Sequence, residues 1–238
     1  MKLALIGAPN VRPIIEGLGL GYHLVLAQYM TDPAYKALYR EMSARGHFIM
    51  MDNGAAELGA SISFGDVLDA ANVCDADEII MPDVLDNMEE TLRHTVEALK
   101  HVTSKYRVMV PQGKNWSEWR ECAEVMCRWG CTTIAIAKRY EAFEGGRRRA
   151  LQILYDLGLH RNHYIHLLGC YSNPLKEIAD NMSRFVRGID TAAPFAHAQH
   201  GKPMEYAEHL SYGWGEPMNR ELAIQNASRL LDACAGDA

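Results

Sequence analysis

Eight short apolar runs, rich in β-branched and aliphatic residues, punctuate the chain: Leu3 to Ala8, His23 to Tyr29, Phe48 to Asp52, Glu78 to Pro82, Arg107 to Pro111, Thr132 to Ala137, His163 to Leu168 and Phe185 to Asp190. Most are nearly continuous in hydrophobicity rather than alternating, which is the pattern of parallel strands buried on both faces. Between them, Pro33 to Arg45, Phe64 to Val73, Asn87 to Ser104, Ser117 to Trp129, Gly146 to Leu157 and Asn173 to Met182 carry apolar residues at three- and four-residue intervals, the signature of amphipathic helices. Asp86, Ser117 and the Ser172-Asn173-Pro174 run are the expected N-caps, each followed by acids in the first turn, and Gly46, Gly130 and Gly158 are the expected helix ends. A final helix is expected from Asn219 to Cys234.

Alternating strands and helices predict an α/β fold, a (β/α)8 TIM barrel in which residues 1–238 form a single domain. An open doubly wound sheet is the competing topology. Against it, no Gly-x-Gly-x-x-Gly follows the first strand; Gly17-Leu-Gly-Leu-Gly21 has a different spacing and follows a helix-like segment.

Four of the strand-like runs end in an acid or an amide: Asp52, Asp83, Gln112 and Asp190. In a parallel barrel all such ends lie on one face, so these residues are expected around one pocket. A carboxylate at the end of a buried strand is costly unless solvated or paired, so each asks for a reason. Asp52 opens Asp52-Asn53-Gly54, which is also ordinary turn chemistry. In Pro82-Asp83-Val84-Leu85-Asp86 the first acid falls at the strand end and the second at the helix start. Gln112-Gly113 offers an amide able to read a heterocycle edge. Asp190 is followed by small residues, then by an expected loop with His197, His200 and Lys202. Such a carboxylate has room to attack an anomeric carbon while a second acid handles the proton, so the set permits glycosyl transfer.

The net charge of −6 argues against a surface coated for general phosphate binding. Lys138, Arg139, Arg147, Arg148, Arg149 and Arg161 nevertheless cluster in one third of the chain, and read either as a solvated helix start or as a patch tracking a nucleic-acid backbone. The cysteines, Cys74, Cys122, Cys127, Cys131, Cys170 and Cys234, form no Cys-x-x-Cys pair, so buried free thiols are expected rather than a metal site. No apolar stretch reaches membrane-spanning length, and the apolar N-terminal run is too short for a signal segment, so a cytoplasmic protein is expected. Trp116, Trp119, Tyr140, Tyr171 and Phe195 are candidates for a base-stacking face.

Asp52-Asn-Gly-Ala-Ala, Ile-Ile-Met-Pro-Asp83, Val-Pro-Gln112-Gly113, His166-Leu-Leu-Gly169 and Gly188-Ile-Asp190-x-x-x-Pro194 occur in the order seen in tRNA-guanine transglycosylases, which are (β/α)8 barrels. The resemblance spans residues 48–201. It implies that Asp190 is the nucleophile that attacks C1′ and releases guanine, and that Asp52 is the general acid/base. It further implies that Asp83, Gln112, Gly113, Gly169, Asn53 and Gly54 line the base site, and that no metal or redox cofactor takes part in the reaction. Lys138, Arg139, Arg147, Arg148, Arg149, His197, His200 and Lys202 become the expected nucleic-acid contacts. The tRNA enzymes carry a Cys-x-Cys-x-x-Cys…His zinc site after the nucleophile, whereas Cys234 is the single cysteine beyond residue 170 here. In this the chain looks like the compact phage-type relatives, without a zinc subdomain, that exchange guanine for a 7-deazaguanine of the preQ0 kind in DNA. DNA is therefore the expected polymer with tRNA the alternative, and a phage-encoded chain would work in the host cytoplasm. The base-contact segment of the family departs here to Thr133-Ile-Ala-Ile-Ala137-Lys138.

Two other classes compete with this reading. Lys138, at the end of the sixth strand, stands where some barrel aldolases form a Schiff base. A non-catalytic nucleic-acid-binding module is the other, and both the negative charge and the gathered carboxylates weigh against it.

Overall fold

The computed structural model describes residues 1–102, 106–171, 173–181, 185–204 and 210–236. Its strands are β1 (Lys2–Leu5), β2 (Tyr22–Leu26), β3 (Phe48–Asp52), β4 (Glu78–Ile80), β5 (Tyr106–Met109), β6 (Thr133–Ile136), β7 (Tyr164–Leu167) and β8 (Val186–Thr191). Helices α1 (Arg12–Gly17), α2 (Pro33–Ala44), α3 (Ala55–Leu58), α4 (Phe64–Val73), α5 (Met88–Leu99), α6 (Trp116–Arg128), α7 (Gly146–Asp156), α8 (Pro174–Asn181), α9 (Ala193–Gln199) and α10 (Arg220–Ala235) surround them.

All ladder pairs are parallel, in the order β1-β8-β7-β6-β5-β4-β3-β2. The chain is a nearly closed (β/α)8 TIM barrel. Among the described residues no ladder joins β1 to β2, and this seam is closed by side chains: Lys2 Nζ lies 5.7 Å from the centroid of the Tyr22 ring. The near-continuous hydrophobicity of the strands has its explanation in two apolar shells. Ala4, Leu24, Met50, Ile80, Val108 and Ala135 fill the barrel, while the alternate residues pack outward under the helices.

Local signals explain most boundaries. Asp32 caps α2, its Oδ1 accepting from the N–H groups of Ala34 and Tyr35, and Asn219 caps α10. Gly46, Gly130 and Gly158 take the positive φ expected of glycines that follow a helix. Two expected caps are corrected. Asn115 rather than Ser117 caps α6, because its Oδ1 accepts from both Ser117 and Glu118 N–H. Asn87 rather than Asp86 caps α5: Asp86 is turned to φ 62° and its carboxylate is captured by Arg139, leaving the cap to the next residue. Ahead of α8, Asn173 Oδ1 accepts from Lys176 N–H at 3.1 Å; Ser172, like the expected helix termini at Ser104 and Met182, lies outside the described residues.

The expected loop after Asp190 is also corrected. Thr191 Oγ1 accepts from Ala193 N–H, Pro194 occupies the first turn, and the chain enters α9 at once. A register shift between Ile165 and His166 pairs Ile165 with Val186 but His166 with Gly188, which inserts Arg187 as an extra residue in β8. The bulge brings the Arg187 guanidinium to Glu78 of β4, which it meets with Nη1 at 2.9 Å and Nη2 at 2.5 Å. Thr133 Oγ1 donates to the same carboxylate at 2.6 Å, so a neutralised polar knot forms the barrel floor. Among the described residues no helix is long and apolar enough to cross a membrane. Five of the cysteines are buried, Cys127 is half-buried, and none of the six is in a disulfide.

Candidate active site

Asp52 ends β3, Asp190 lies one residue before the end of β8, and Asp83 follows β4 by three residues, so the parallel topology delivers three carboxylates to one mouth. They line a single pocket of about 80 Å³ with Asn53, Glu57, Lys138, Gly169 and Tyr171, over a floor that includes Ile6, Leu24, Ile80 and Val110. Asp83 and Leu85 also line an adjoining apolar cleft of about 560 Å³ between the start of α4 and the face of α5.

Asp190 has two hydrogen-bond partners. His166 Nε2 lies 2.9 Å from its Oδ1, and the Gly169 N–H donates to Oδ2 at 3.0 Å. Gly169 has φ +62°, and a Cβ there would meet the Tyr171 ring at 2.7 Å, so the turn that aims this N–H calls for glycine. Asp52 Oδ2 accepts from Gly54 N–H at 2.9 Å, the local turn contact expected of Asp-Asn-Gly. Burial nonetheless pushes the Asp52 carboxyl well above the usual carboxylate range, with the nearby Glu57, Asp190 and Asp83 charges adding to the effect. Glu57, which keeps an exposed edge at the rim, is raised by partial desolvation and then by Asp190.

Asp83 is raised by burial against the opposing pull of its two amide donors, Asn53 Nδ2 to Oδ1 at 2.8 Å and Gln112 Nε2 to Oδ2 at 2.6 Å. Asn53 Nδ2 also donates to Met81 O at 3.0 Å. Gln112 is therefore placed behind Asp83 rather than on the pocket wall, fully buried, with Oε1 accepting from the Tyr140 hydroxyl at 3.0 Å. Gly113 also lies off the pocket, packed on α6, with its N–H on Tyr140 Oη at 2.9 Å. Gly54 acts on the site through Asp52.

The expected nucleic-acid contacts divide by burial. Arg148, Arg149 and His200 are exposed and Lys202 is half-buried. Arg147 is 0% exposed: its guanidinium donates to the carbonyls of Ile136 at 3.2 Å and Leu168 at 2.6 Å and pairs with Glu177, so it locks the ends of β6 and β7 to α8 and is withdrawn from the surface. His197, 1% exposed on α9, is likewise removed from the surface. Lys138 lines the pocket with Nζ 2.7 Å from Glu177 Oε2, its ammonium disfavoured by burial and by Arg147. Arg139 is engaged by Asp86.

Of the candidate stacking residues, Tyr171 lines the pocket; Trp119, Tyr140 and Phe195 are core, and Trp116 Nε1 is tied to Glu144 O at 2.8 Å. Two groups carried no role in the sequence: His166, which backs Asp190, and Glu57, which lines the pocket. His166 sits inside an apolar strand, where only the register shows that it faces Asp190. Glu57 follows Asp52 by five positions and had the signal of an acid in the first turn of α3. No protein-family model matches the chain, and no curated protein matches it.

Proposed function

We propose that the chain is a guanine transglycosylase that exchanges guanine for a 7-deazaguanine in DNA through a glycosyl ester on Asp190. The observation that carries the reading is the division of labour in one pocket. Asp190 has both oxygens hydrogen-bonded, one to the His166 ring and one to the Gly169 N–H, and is held in place as a nucleophile, while Asp52 beside it is pushed toward its protonated form. Asp190 attacks C1′ as the C1′–N9 bond breaks, and Asp52 supplies the proton to the departing base. The incoming base then loses its N9 proton to Asp52 and attacks the same carbon, returning Asp190 as a carboxylate and retaining the configuration. Asp83, steadied by Asn53 and Gln112, faces the pocket as the reader of the base, with Tyr171 as its aromatic wall. The target nucleotide has to leave the duplex stack to enter so narrow a site. Arg148 and Arg149 are cations exposed on α7 and open to phosphate.

Support for DNA comes from the resemblance, since the family's zinc-site cysteines after the nucleophile are not present in the run that follows Asp190. Incubating the protein with radiolabelled guanine and either duplex DNA or tRNA tests the assignment. Label in DNA is expected; label in tRNA alone overturns the polymer, and label in neither overturns base exchange.

One observation favours a second reading. Lys138 reaches the pocket with its ammonium disfavoured, as a Schiff-base lysine requires. Borohydride trapping with a carbonyl substrate separates the two, because base exchange forms no imine.

A further inference from the structure

One of the two hydrogen-bond partners of Asp190 is the end of a buried polar column that crosses the barrel. His166 Nε2 is 2.9 Å from Asp190 Oδ1, and His166 Nδ1 is 2.9 Å from the Tyr22 hydroxyl oxygen. His166 is 0% exposed and Tyr22 is 4% exposed, so neither contact is shared with bulk water. Below them the Arg187 guanidinium lies 5.6 Å from the Tyr22 ring centroid and is fixed by Glu78. Phe48 stacks on the same ring at 5.2 Å. At Gly188 a Cβ would stand 2.8 Å from Tyr22 Cε1, so the ring occupies the space a side chain there would take.

Donor and acceptor counting fixes the direction of the chain. A guanidinium offers only donors, so Arg187 cannot receive the Tyr22 proton, and burial holds that phenol in its protonated form. The acceptor within reach of that hydroxyl is His166 Nδ1, which leaves the imidazole proton on Nε2, aimed at Asp190.

We propose that His166 is a positioning residue: held as the Nε2–H tautomer by Tyr22, it clamps the Asp190 carboxylate in the orientation from which it attacks C1′. The proposal rests on the base-exchange reading. In the first displacement an Asp190 oxygen pair forms the C1′–O bond as the C1′–N9 pair leaves with the base, which takes the Asp52 proton. In the second, the N9 pair of the incoming base forms the new bond, its proton passes to Asp52, and the C1′–O pair returns to Asp190. His166 gains and loses no proton in either step. Its role is to hold the anion before attack and to stabilise it again as it departs.

Histidine ¹⁵N NMR on the full chain at neutral pH tests the clamp without reference to activity, the His166 signals being assigned by their loss in His166→Gln. A protonated Nε2 and a bare Nδ1 are expected, with the preference weakened in Tyr22→Phe; a protonated Nδ1 with a bare Nε2 overturns the proposal. In exchange assays His166→Leu is expected to lower kcat on the order of 10²-fold with little change in KM, the cost of a misaligned nucleophile. His166→Gln, whose Nε2 donor replaces that of the imidazole, is expected to recover to within about tenfold of the wild type. Equal kcat in wild type and His166→Leu overturns the clamp. A protein that labels no polymer yet shows the tautomer loses the base-exchange reading and keeps the clamp. One that labels DNA with Nδ1 protonated keeps base exchange and loses the clamp.

Discussion

The floor and the mouth of this barrel both bury carboxylates, and they treat them in opposite ways. On the floor Glu78 meets a bidentate guanidinium and a hydroxyl, and Arg187 reaches it from the bulge in β8. At the mouth, among the described residues, no Lys or Arg pairs with Asp52, Asp83 or Asp190; their partners are two side-chain amides, two backbone N–H groups and an imidazole. Lys138, the cation in the pocket wall, is committed to Glu177. A buried charge matched by a cation is fixed in one protonation state and serves the fold. One matched only by neutral donors keeps its proton negotiable, which is what acid–base and nucleophilic chemistry need.

The largest expected effect breaks the mouth. Asp190→Asn removes the nucleophile and should lower base exchange on the order of 10⁴-fold or more while leaving the urea midpoint unchanged or raised. Exchange within tenfold of the wild type would remove the catalytic meaning of the contrast. The floor should fail in the other currency: Arg187→Met strands Glu78 and should cost about 3–5 kcal/mol in urea denaturation, much of it recovered when Glu78→Leu is added. A loss as small as that of a surface pair would show that the floor is not paired in solution.

Asp52→Asn sharpens the contrast through pH. Because burial raises the Asp52 and Asp83 carboxyls, the native state holds protons that the unfolded chain releases above about pH 4. The associated stability is present below that pH and is lost as pH rises through the native values. Asp52→Asn should flatten that decline, measured as urea midpoints from pH 4 to 8, while lowering exchange about 10²- to 10⁴-fold. An unchanged pH slope would mean that Asp52 ionises normally.

The eight strands were legible because parallel strands buried on both faces write themselves as unbroken apolar runs, and Asp52, Asp83 and Asp190 were legible because parallel strands end on one side. Burial of charge was not legible. Arg147 reads in sequence as one of three consecutive cations, yet its partners are carbonyls of β6 and β7 and a carboxylate on α8. His166 faces inward because it alternates with the outward Ile165 and Leu167 and pairs with the interior Ala135 of β6, and the bulge at Arg187 sets the β8 residues it meets, a property of the strand pairing that the β7 run alone does not contain. His197 was misread as a loop residue because small residues after Asp190 gave no helical periodicity, whereas the Thr191 hydroxyl and Pro194 start α9 there.

The seam between β1 and β2 gives the barrel a thermal weak point. Tyr22 stands on that seam, and its ring helps to close it while its hydroxyl holds His166. Warming that parts the two strands therefore withdraws the support of the nucleophile before the remaining ladders melt. Base exchange should fade at a lower temperature than the far-ultraviolet circular dichroism signal, and coincident loss of the two would show the seam to be as firm as the rest. On that expectation, tolerance to heat follows the one edge without a ladder among the described strands, the edge from which Tyr22 reaches His166.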